Sequence, residues 1–327
     1  MSAVSALISH SAIVHLHNLL ADDMQRVNQA TLGHAQSKVG LVEKVAQHLL
    51  CSGGKRLRPL LTIACSHLFR DQPGYAVQLA AAVELIHSAT LLHDDVIDES
   101  DLRRGQATAN RLWGNVPSIL VGDFLFSKAF QLMVEAENQK VLEVLSKAST
   151  RIAEGEVLQL ELLGDLNLSL ENYLEIVGAK TASLFAAACQ VGGMIVDMPV
   201  WLEDDLYQFG YNLGIAFQIT DDILDYGPGG EKLGKSVGND FFEGKVTLPV
   251  LLMCQNPDFF PVWESWFDQP SRNEDDFKAA QNLLQGQNML ETCYEYTKPF
   301  TEKALHHLSK MPAGVMRDAL NALISWI

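Results

Sequence analysis

Two acidic motifs of the same form stand far apart in the chain. HDDVID ends at Asp98 and TDDILD ends at Asp225, and each reads Asp-Asp-x-x-Asp. On a helix, residues i and i+4 share a face, so Asp94 points with Asp98 and Asp221 points with Asp225. Carboxylates crowded in this way repel one another unless a cation joins them. Mg²⁺ is the best fit, because it binds one or two carboxylates together with substrate phosphates. The pair of motifs therefore predicts a metal clamp around a diphosphate.

A single motif of this kind has a simpler interpretation as a solvated acidic end of a helix. Short acidic motifs are common. Two copies, each ending an apolar helix and each followed by basic residues, favour the metal site. The candidate ligands are Asp94, Asp95, Asp98, Asp221, Asp222 and Asp225.

Basic residues accompany the acidic motifs and glycine turns. Arginine binds phosphate with a planar fork, and lysine binds it as a point charge. Each one alone could be an ordinary surface charge, but their repeated placement favours anion binding. The candidates are Lys55, Arg56 and Arg58 in GGKRLRP, Arg103 and Arg104 after the first motif, Lys180 before Thr181, and Lys235 and Lys245 after the second motif. His87 lies two turns before Asp94 on nearly the same helical face, so it is predicted to contact the ligand.

The elements that must position these residues are helices. In VELIHSATLLHDDVID, apolar residues recur at spacings of three and four without Pro or Gly. Other long segments show the same period, and alternating strand patterns are essentially absent. We therefore predict an all-α fold, a helical bundle forming one domain over residues 1–327. It would have an N-terminal helical segment over about residues 1–30 and a C-terminal helical extension over about residues 255–327, with an irregular stretch at 255–275.

Composition limits the partners and the compartment. The formal net charge of −16 argues against a nucleic-acid surface. The five cysteines are scattered and contain no CxxC pair, which favours a reducing cytoplasm over a disulfide framework or a zinc site. The N-terminus has no basic region typical of a signal peptide. Residues 181–196 form the longest charge-free apolar stretch, which is too short for a membrane span.

The motifs taken together resemble the trans-isoprenyl diphosphate synthases. The resemblance lies in GGKRLRP, in the first aspartate motif with its RRG, in Lys180–Thr181, in FQITDDILD and in the trailing GK segments. It covers nearly the whole chain, most strongly residues 21–252. It implies the all-α isoprenoid-synthase fold around a deep central cavity, usually as a homodimer. It also implies head-to-tail condensation of isopentenyl diphosphate onto an allylic diphosphate such as farnesyl diphosphate, with release of pyrophosphate.

The resemblance also implies a role for each matching residue. The six aspartates match the two metal-binding motifs, with about three Mg²⁺ ions when diphosphate is bound. The isopentenyl diphosphate site is matched by Lys55, Arg58, His87 and Arg104. The allylic diphosphate site is matched by Arg103, Lys180, Thr181, Gln218, Lys235 and Lys245. Catalysis is expected to depend most on Asp94, Asp95, Asp98, Asp221, Asp222, Lys180 and Arg103.

Product length is expected to depend on the residues just before the first motif. The resemblance implies that family members with short products carry aromatic residues at these positions. This chain instead has Ala89 and Thr90. The small Ala89 would open a path past Ile86, with Phe126, Phe130 or Met133 as its floor. The surrounding sequence is similar to bacterial octaprenyl and decaprenyl diphosphate synthases of quinone side-chain biosynthesis, so octaprenyl diphosphate is the expected product. Decaprenyl, solanesyl or geranylgeranyl products remain open, as do a class I terpene cyclase, a regulatory subunit and peripheral membrane contact during product release.

Overall fold

The computed structural model of the protein describes residues 12–69, 75–227 and 237–325. These residues are predominantly helical, as the period of the apolar residues predicts, and residues 12–19 are helical as well. The α-helices are α1 (Ala21–His34), α2 (Gly40–Cys51), α3 (Leu57–His67), α4 (Ala76–Ile97), α5 (Ala109–Trp113), α6 (Asn115–Glu135), α7 (Gln139–Glu161), α8 (Leu170–Val177), α9 (Ser183–Met194), α10 (Glu203–Tyr226), α11 (Asn239–Glu243), α12 (Leu248–Cys254), α13 (Phe260–Phe267), α14 (Glu274–Gly286), α15 (Met289–Glu295), α16 (Lys298–Ser309) and α17 (Val315–Ile324).

The centre of the bundle is built from α3, α4, α6, α9 and α10. Helix α4 packs most extensively against α6, and α9 packs against both α10 and α3. Helices α4 and α9 are apolar around most of their circumference, which is typical of helices enclosed by others. Both acidic motifs end such helices, because α4 runs to Ile97 and α10 runs to Tyr226. The two motifs thus reach the same end of the bundle.

Helices α8 and α9 are joined by a π-helical turn into one continuous helical segment. The turn spans Gly178–Ala182 and holds Lys180 and Thr181. An extra residue in a helical turn redirects the side chains it carries, and such turns are frequent at functional sites. Gly178 packs so closely on the hydroxyl of Tyr211 that a larger residue would collide with it. The turn is therefore held against α10, the helix of the second acidic motif.

A short hairpin follows the first acidic motif. Strand β1 (Leu102–Arg103) pairs antiparallel with β2 (Gln106–Ala107). The two residues between them, Arg104 and Gly105, have φ angles of 53° and 76°. Positive φ at both central positions is the signature of a two-residue hairpin turn with matching twist. Strands of two residues are too short to leave an alternating pattern, so the sequence did not predict them.

The prediction of an irregular stretch over residues 255–275 is wrong in its middle part, where α13 forms. Phe260, Trp263 and Phe267 repeat at helical spacing, and Pro261 stands in the first turn, where proline is tolerated. Trp263 is fully buried beside Phe241. Several aromatic rings surround Phe241 and anchor the segment that follows the second acidic motif.

Within the described ranges, three helical stretches are long and apolar enough to cross a membrane by length and composition: Ala76–Ile97, Asn115–Glu135 and Leu170–Met194. The first and third are 72% and 78% buried inside the protein, as expected for central helices of the bundle. The second, which is α6, is only 39% buried. An extended apolar face of α6 is therefore exposed on a single copy of the chain.

Candidate active site

A cavity of about 780 Å³ lies at the end of the bundle where α4 and α10 finish. Its walls are formed by α4, α7, the π-turn, α10 and the segment that contains α11. Residues from both acidic motifs line it, namely Asp94, Asp98, Asp221, Asp222 and Asp225. The expectation that the two motifs face one space is therefore confirmed by the geometry.

Asp95 departs from the predicted arrangement. Its carboxylate is almost fully buried and accepts a hydrogen bond of 2.8 Å from Nε of Arg103. Among the described residues that outline the cavity, Asp94 and Asp98 are present and Asp95 is not. Because consecutive helical residues point about 100° apart, Asp95 points toward the hairpin and holds Arg103, and its role as a metal ligand stays a prediction.

The second motif is held by a chain of hydrogen bonds centred on Asp222. Tyr173 donates its hydroxyl proton to Oδ2 at 2.6 Å, and Gln218 donates to Oδ1 at 2.8 Å. Gln218 accepts in turn from the hydroxyl of Thr181 at 2.8 Å. Burial raises the pKa of Asp222 to about 7 despite these donors. The carboxylate is thus fixed in place but poorly compensated, which favours the arrival of a cation.

Two lysines stand among the acidic groups. Lys245 donates to Asp98 at 2.9 Å and lies 2.6 Å from Glu243. Burial alone would lower its pKa, but Glu243 and Asp98 outweigh that effect and raise it. Lys180 donates to Glu156 at 2.7 Å. Both ammonium groups line the cavity, where they can bind an anion.

Arg58 and His87 form a second pair of basic residues that lines the cavity. Nη1 of Arg58 lies 3.2 Å from Nε2 of His87, and its guanidinium lies 4.7 Å from the ring centre of Phe185. Burial, followed by the charge of Arg58, lowers the pKa of His87 well below its usual value. His87 is therefore neutral, and its Nε2 accepts the arginine proton. Burial also lowers the pKa of Arg58, to about 10, which leaves this group a cation at neutral pH.

Further cationic side chains lie beside the glycine turn of GGKRLRP, at the edge of the cavity. Arg104 donates to the carbonyl of Gly53, and a Cβ at Gly54 would lie 2.7 Å from Arg104. Lys55 also lines the cavity. Arg56 instead pairs with Glu84 and with the carbonyl of Leu50, so it holds the turn to α4. Of the other predicted basic residues, Lys235 lies outside the described residues.

The predicted path for product growth is only partly present. Thr90 lines the cavity and donates its hydroxyl proton to the carbonyl of His87. Ala89 and Ile86 are buried in the main apolar core, outside the walls that the described residues form. Phe126, Phe130 and Met133 are not among these described wall residues either. The aromatic end of the cavity is formed by Phe185 and Phe217, whose ring centres are 5.4 Å apart.

Several residues of the site were not predicted from the sequence: Glu156, Tyr173, Phe185, Phe217, Asp240 and Glu243. Phe217 immediately precedes Gln218, and Glu243 lies two residues before Lys245, so proximity to motif residues could have identified them. Tyr173 carried no such signal. Its contact with Asp222 depends on how α8 packs on α10.

The chemistry of the donors fits a hard divalent cation. Carboxylate oxygens face one another across the cavity, and cationic side chains surround them. Within the described ranges, no group of three His, Cys, Asp or Glu side chains is already arranged as a complete metal site. This agrees with the preference of Mg²⁺ for a few carboxylates completed by water and phosphate oxygens.

Known proteins are similar to this chain in sequence and in fold. The sequence profile of the polyprenyl synthetase family matches residues 39–284. Octaprenyl diphosphate synthase from Escherichia coli K12 is 47% identical over 313 residues, covering 94% of this chain and 96% of the relative. The crystal structure of a polyprenyl synthase from Caulobacter crescentus, complexed with calcium and isoprenyl diphosphate, superposes with a TM-score of 0.92 at 46% identity, covering 96% of each chain. A decaprenyl diphosphate synthase from Rhodobacter capsulatus gives a TM-score of 0.88 at 41% identity, covering 96% of this chain and 98% of that one.

Proposed function

The chain belongs to the polyprenyl synthetase family and is a prenyltransferase that makes long-chain trans-polyprenyl diphosphates; we propose that it adds isopentenyl diphosphate repeatedly to an allylic diphosphate such as farnesyl diphosphate. The observation that carries this proposal is the meeting of both acidic motifs with Lys180 and Lys245 in one cavity. The proposed product is octaprenyl diphosphate, for a quinone side chain, because the relative from E. coli at 47% identity is an octaprenyl diphosphate synthase.

The proposed metal ligands are the aspartates that line the cavity, Asp94 and Asp98 on one side and Asp221, Asp222 and Asp225 on the other. Bound Mg²⁺ would neutralise the diphosphate and make it a better leaving group. Asp95 acts through Arg103, which it orients by the 2.8 Å hydrogen bond. Arg103, Lys180 and Lys245 then bind the allylic diphosphate, together with Thr181 and Gln218.

The second diphosphate, that of isopentenyl diphosphate, is proposed to bind at Lys55, Arg58, His87 and Arg104. Neutral His87 orients the guanidinium of Arg58 and adds no charge of its own. These residues come from the loop before α3, from α3 and α4, and from the turn of the hairpin, whereas Lys180 and Thr181 come from the π-turn. The two substrates are thus proposed to bind to different sets of elements within one cavity.

The reaction proceeds by loss of the leaving group before the new bond forms. The allylic C–O bond breaks, and its electron pair leaves with pyrophosphate, whose charge the surrounding cationic side chains stabilise. The double bond of isopentenyl diphosphate then forms the new C–C bond to the carbocation. The proton lost in restoring a double bond passes to an oxygen of the departing pyrophosphate. Phe185, Phe217 and Ile152 line the apolar part of the cavity and exclude water from the carbocation.

We also propose that two copies of the chain pair through the exposed face of α6. This face presents Val116, Ile119, Leu120, Phe130 and Val134 to solvent. Apolar surfaces of this extent mark interaction sites in soluble proteins. A second copy is the proposed occupant, since a twofold axis lets the same face cover itself.

Residence in the cytoplasm is proposed, with contact to a membrane only at its surface during product release. The cysteines Cys51, Cys65, Cys189, Cys254 and Cys293 are all free, as in a reducing compartment. Two of the three long apolar helices are enclosed by the bundle rather than available to lipid.

An assay of pyrophosphate release tests the proposed function. Purified protein with farnesyl diphosphate, isopentenyl diphosphate and Mg²⁺ should release pyrophosphate, and Asp94→Ala and Asp221→Ala should each lose most of this activity while keeping their helicity. Asp101→Asn is the matched control, because Asp101 is exposed and pairs with Arg111. Turnover of farnesyl diphosphate alone into a cyclic hydrocarbon would favour a terpene cyclase, and inactivity of the pure chain would favour a regulatory subunit.

A further inference from the structure

Glu156 is a cavity residue to which neither aspartate motif assigns a role. It lies on α7, and its Oε2 accepts a hydrogen bond of 2.7 Å from Nζ of Lys180. The side chains of Glu156 and Lys180 are 16% and 24% exposed, so the pair is largely shielded from solvent. A shielded ion pair is screened less than a surface pair and fixes its partners more firmly.

The backbone brings these two residues together by close packing. Gly155 lies where α7 meets the π-turn, and a Cβ there would be 2.7 Å from Cβ of Ala179 and 2.9 Å from the backbone nitrogen of Lys180. Any larger residue at position 155 would push the two helices apart. The neighbouring Glu156 is thereby placed against the side chain of Lys180, and the π-turn aims that side chain into the cavity.

The charge of Lys180 acts on two carboxylates at once. Lys180 and Asp94 line the same cavity, and Lys180 exerts the largest favourable electrostatic effect of any cation on the Asp94 carboxylate. Burial and the charge of Asp94 raise the pKa of Glu156 to about 7, again opposed by Lys180. Lys180 therefore has two competing anionic partners, one of which is a proposed metal ligand.

The second oxygen of Glu156 argues against a purely structural ion pair. Oε1 is buried and has no hydrogen-bond partner among the described residues. A buried acceptor without a donor costs about 1–3 kcal/mol, so a pair that served only stability would be expected to satisfy both oxygens. A buried polar atom without a hydrogen-bond partner, in the wall of a binding cavity, is typical of a functional residue.

We propose that Glu156 is a positioning residue that holds Lys180 for the diphosphate and keeps it from pairing with Asp94, so that Asp94 stays free to bind the metal ion. This inference rests on the proposed function, since it presupposes that Asp94 binds metal and Lys180 binds diphosphate. Without the Glu156 carboxylate, Lys180 turns to Asp94, and an incoming Mg²⁺ ion must displace it.

Calorimetric binding of inorganic pyrophosphate at a series of Mg²⁺ concentrations tests the proposal without turnover. Glu156→Gln should raise the Mg²⁺ concentration needed for half-maximal binding by about 10-fold, the scale of coupling between neighbouring charged groups. In the double variant Glu156→Gln/Lys180→Met the Mg²⁺ requirement should return to that of Lys180→Met alone, since the competing ammonium is gone. Glu154→Gln, on the outer surface of the same helix, should behave as the wild type.

The possible outcomes are distinct. An unchanged Mg²⁺ requirement in Glu156→Gln overturns the proposal. A requirement that stays raised in the double variant overturns it as well, because Glu156 would then be a metal ligand itself. If wild-type protein fails to bind pyrophosphate with Mg²⁺ at any concentration, the proposed function fails first.

Discussion

Lys245 donates a 2.9 Å hydrogen bond to Asp98, a residue 147 positions earlier in the chain. This contact ties the segment after the second acidic motif to the last aspartate of the first motif. It places an ammonium group between the carboxylates of Asp98 and Glu243, in the cavity that residues of both motifs line.

Lys245→Met should therefore affect both stability and catalysis. Asp98 and Glu243 would be left facing each other without the ammonium, and breaking such a shielded pair costs about 3 kcal/mol. Losing a cation from the diphosphate site should lower kcat/KM for the allylic substrate by about 100-fold. Urea unfolding and steady-state kinetics measure the two effects.

The matched control for this variant is Lys147→Met, whose ion pair with Glu143 is exposed. Exposed pairs contribute about 1 kcal/mol or less, so this variant should behave nearly as the wild type. Equal losses of stability in the two lysine variants would show that Lys245 has no special position.

The raised pKa of Asp222 predicts a pH dependence of stability in the absence of metal. The folded protein holds this proton up to about pH 7, whereas the unfolded chain releases it near 3.8. The proton therefore stabilises the folded state fully at low pH, and that contribution is lost as pH rises toward 7. With EDTA present, wild-type protein should lose stability relative to Asp222→Asn between about pH 4 and pH 7, by at most about 4 kcal/mol.

Melting curves of the two proteins across this range give the comparison. Asp275→Asn, which changes a fully exposed aspartate, should run parallel to the wild type. A constant difference between wild type and Asp222→Asn at every pH would contradict the raised pKa.

Product length should respond to the size of residue 90. Thr90 lines the cavity, so Thr90→Phe should shorten the product, and Thr90→Val should leave the length unchanged because valine has nearly the same shape. Chromatography of the dephosphorylated products measures the length. If Ala89→Phe shortens the product and Thr90→Phe does not, the growing chain passes along the other face of α4, as the sequence suggested.

The exposed face of α6 predicts which surface change dissociates a dimer. Val116 on this face and Val315 at the start of α17 are 67% and 66% exposed. Val116→Glu should shift sedimentation velocity from dimer toward monomer, while Val315→Glu should leave the dimer intact. A dimer that survives Val116→Glu and further charged substitutions at Leu120 and Val134 would place the subunit contact elsewhere.

Helical period and local motifs were enough to predict much of this architecture. The apolar spacing predicted the central helices, and the repeated aspartate motif predicted two carboxylate groups facing one space. Both predictions depend on short-range geometry, where one residue's position on a helix fixes its neighbour's direction. Helix α13 was missed because Pro261 and the adjacent aromatic residues suggested a loop, while burial of Trp263 stabilises a helix.

Contacts between distant helices could not be predicted in this way. The contact of Tyr173 with Asp222 depends on how α8 packs on α10, and the contact of Glu156 with Lys180 depends on how α7 approaches the π-turn; no local pattern encodes either approach. Arg56 and Arg58 looked alike in the sequence and both line the cavity, but Arg56 pairs with Glu84 whereas Arg58 lies beside His87. The turn of Asp95 toward Arg103 likewise depends on the hairpin, whose strands are too short to detect.

Mass spectrometry of the reaction products tests whether this protein synthesises long-chain prenyl diphosphates. Purified protein is incubated with farnesyl diphosphate, excess isopentenyl diphosphate and Mg²⁺, and the products are compared with those of a sample containing EDTA. We expect a series of isoprenoid diphosphates that ends at octaprenyl diphosphate and disappears with EDTA. Products that stop at geranylgeranyl diphosphate, or the absence of any condensation with Mg²⁺ present, would contradict it.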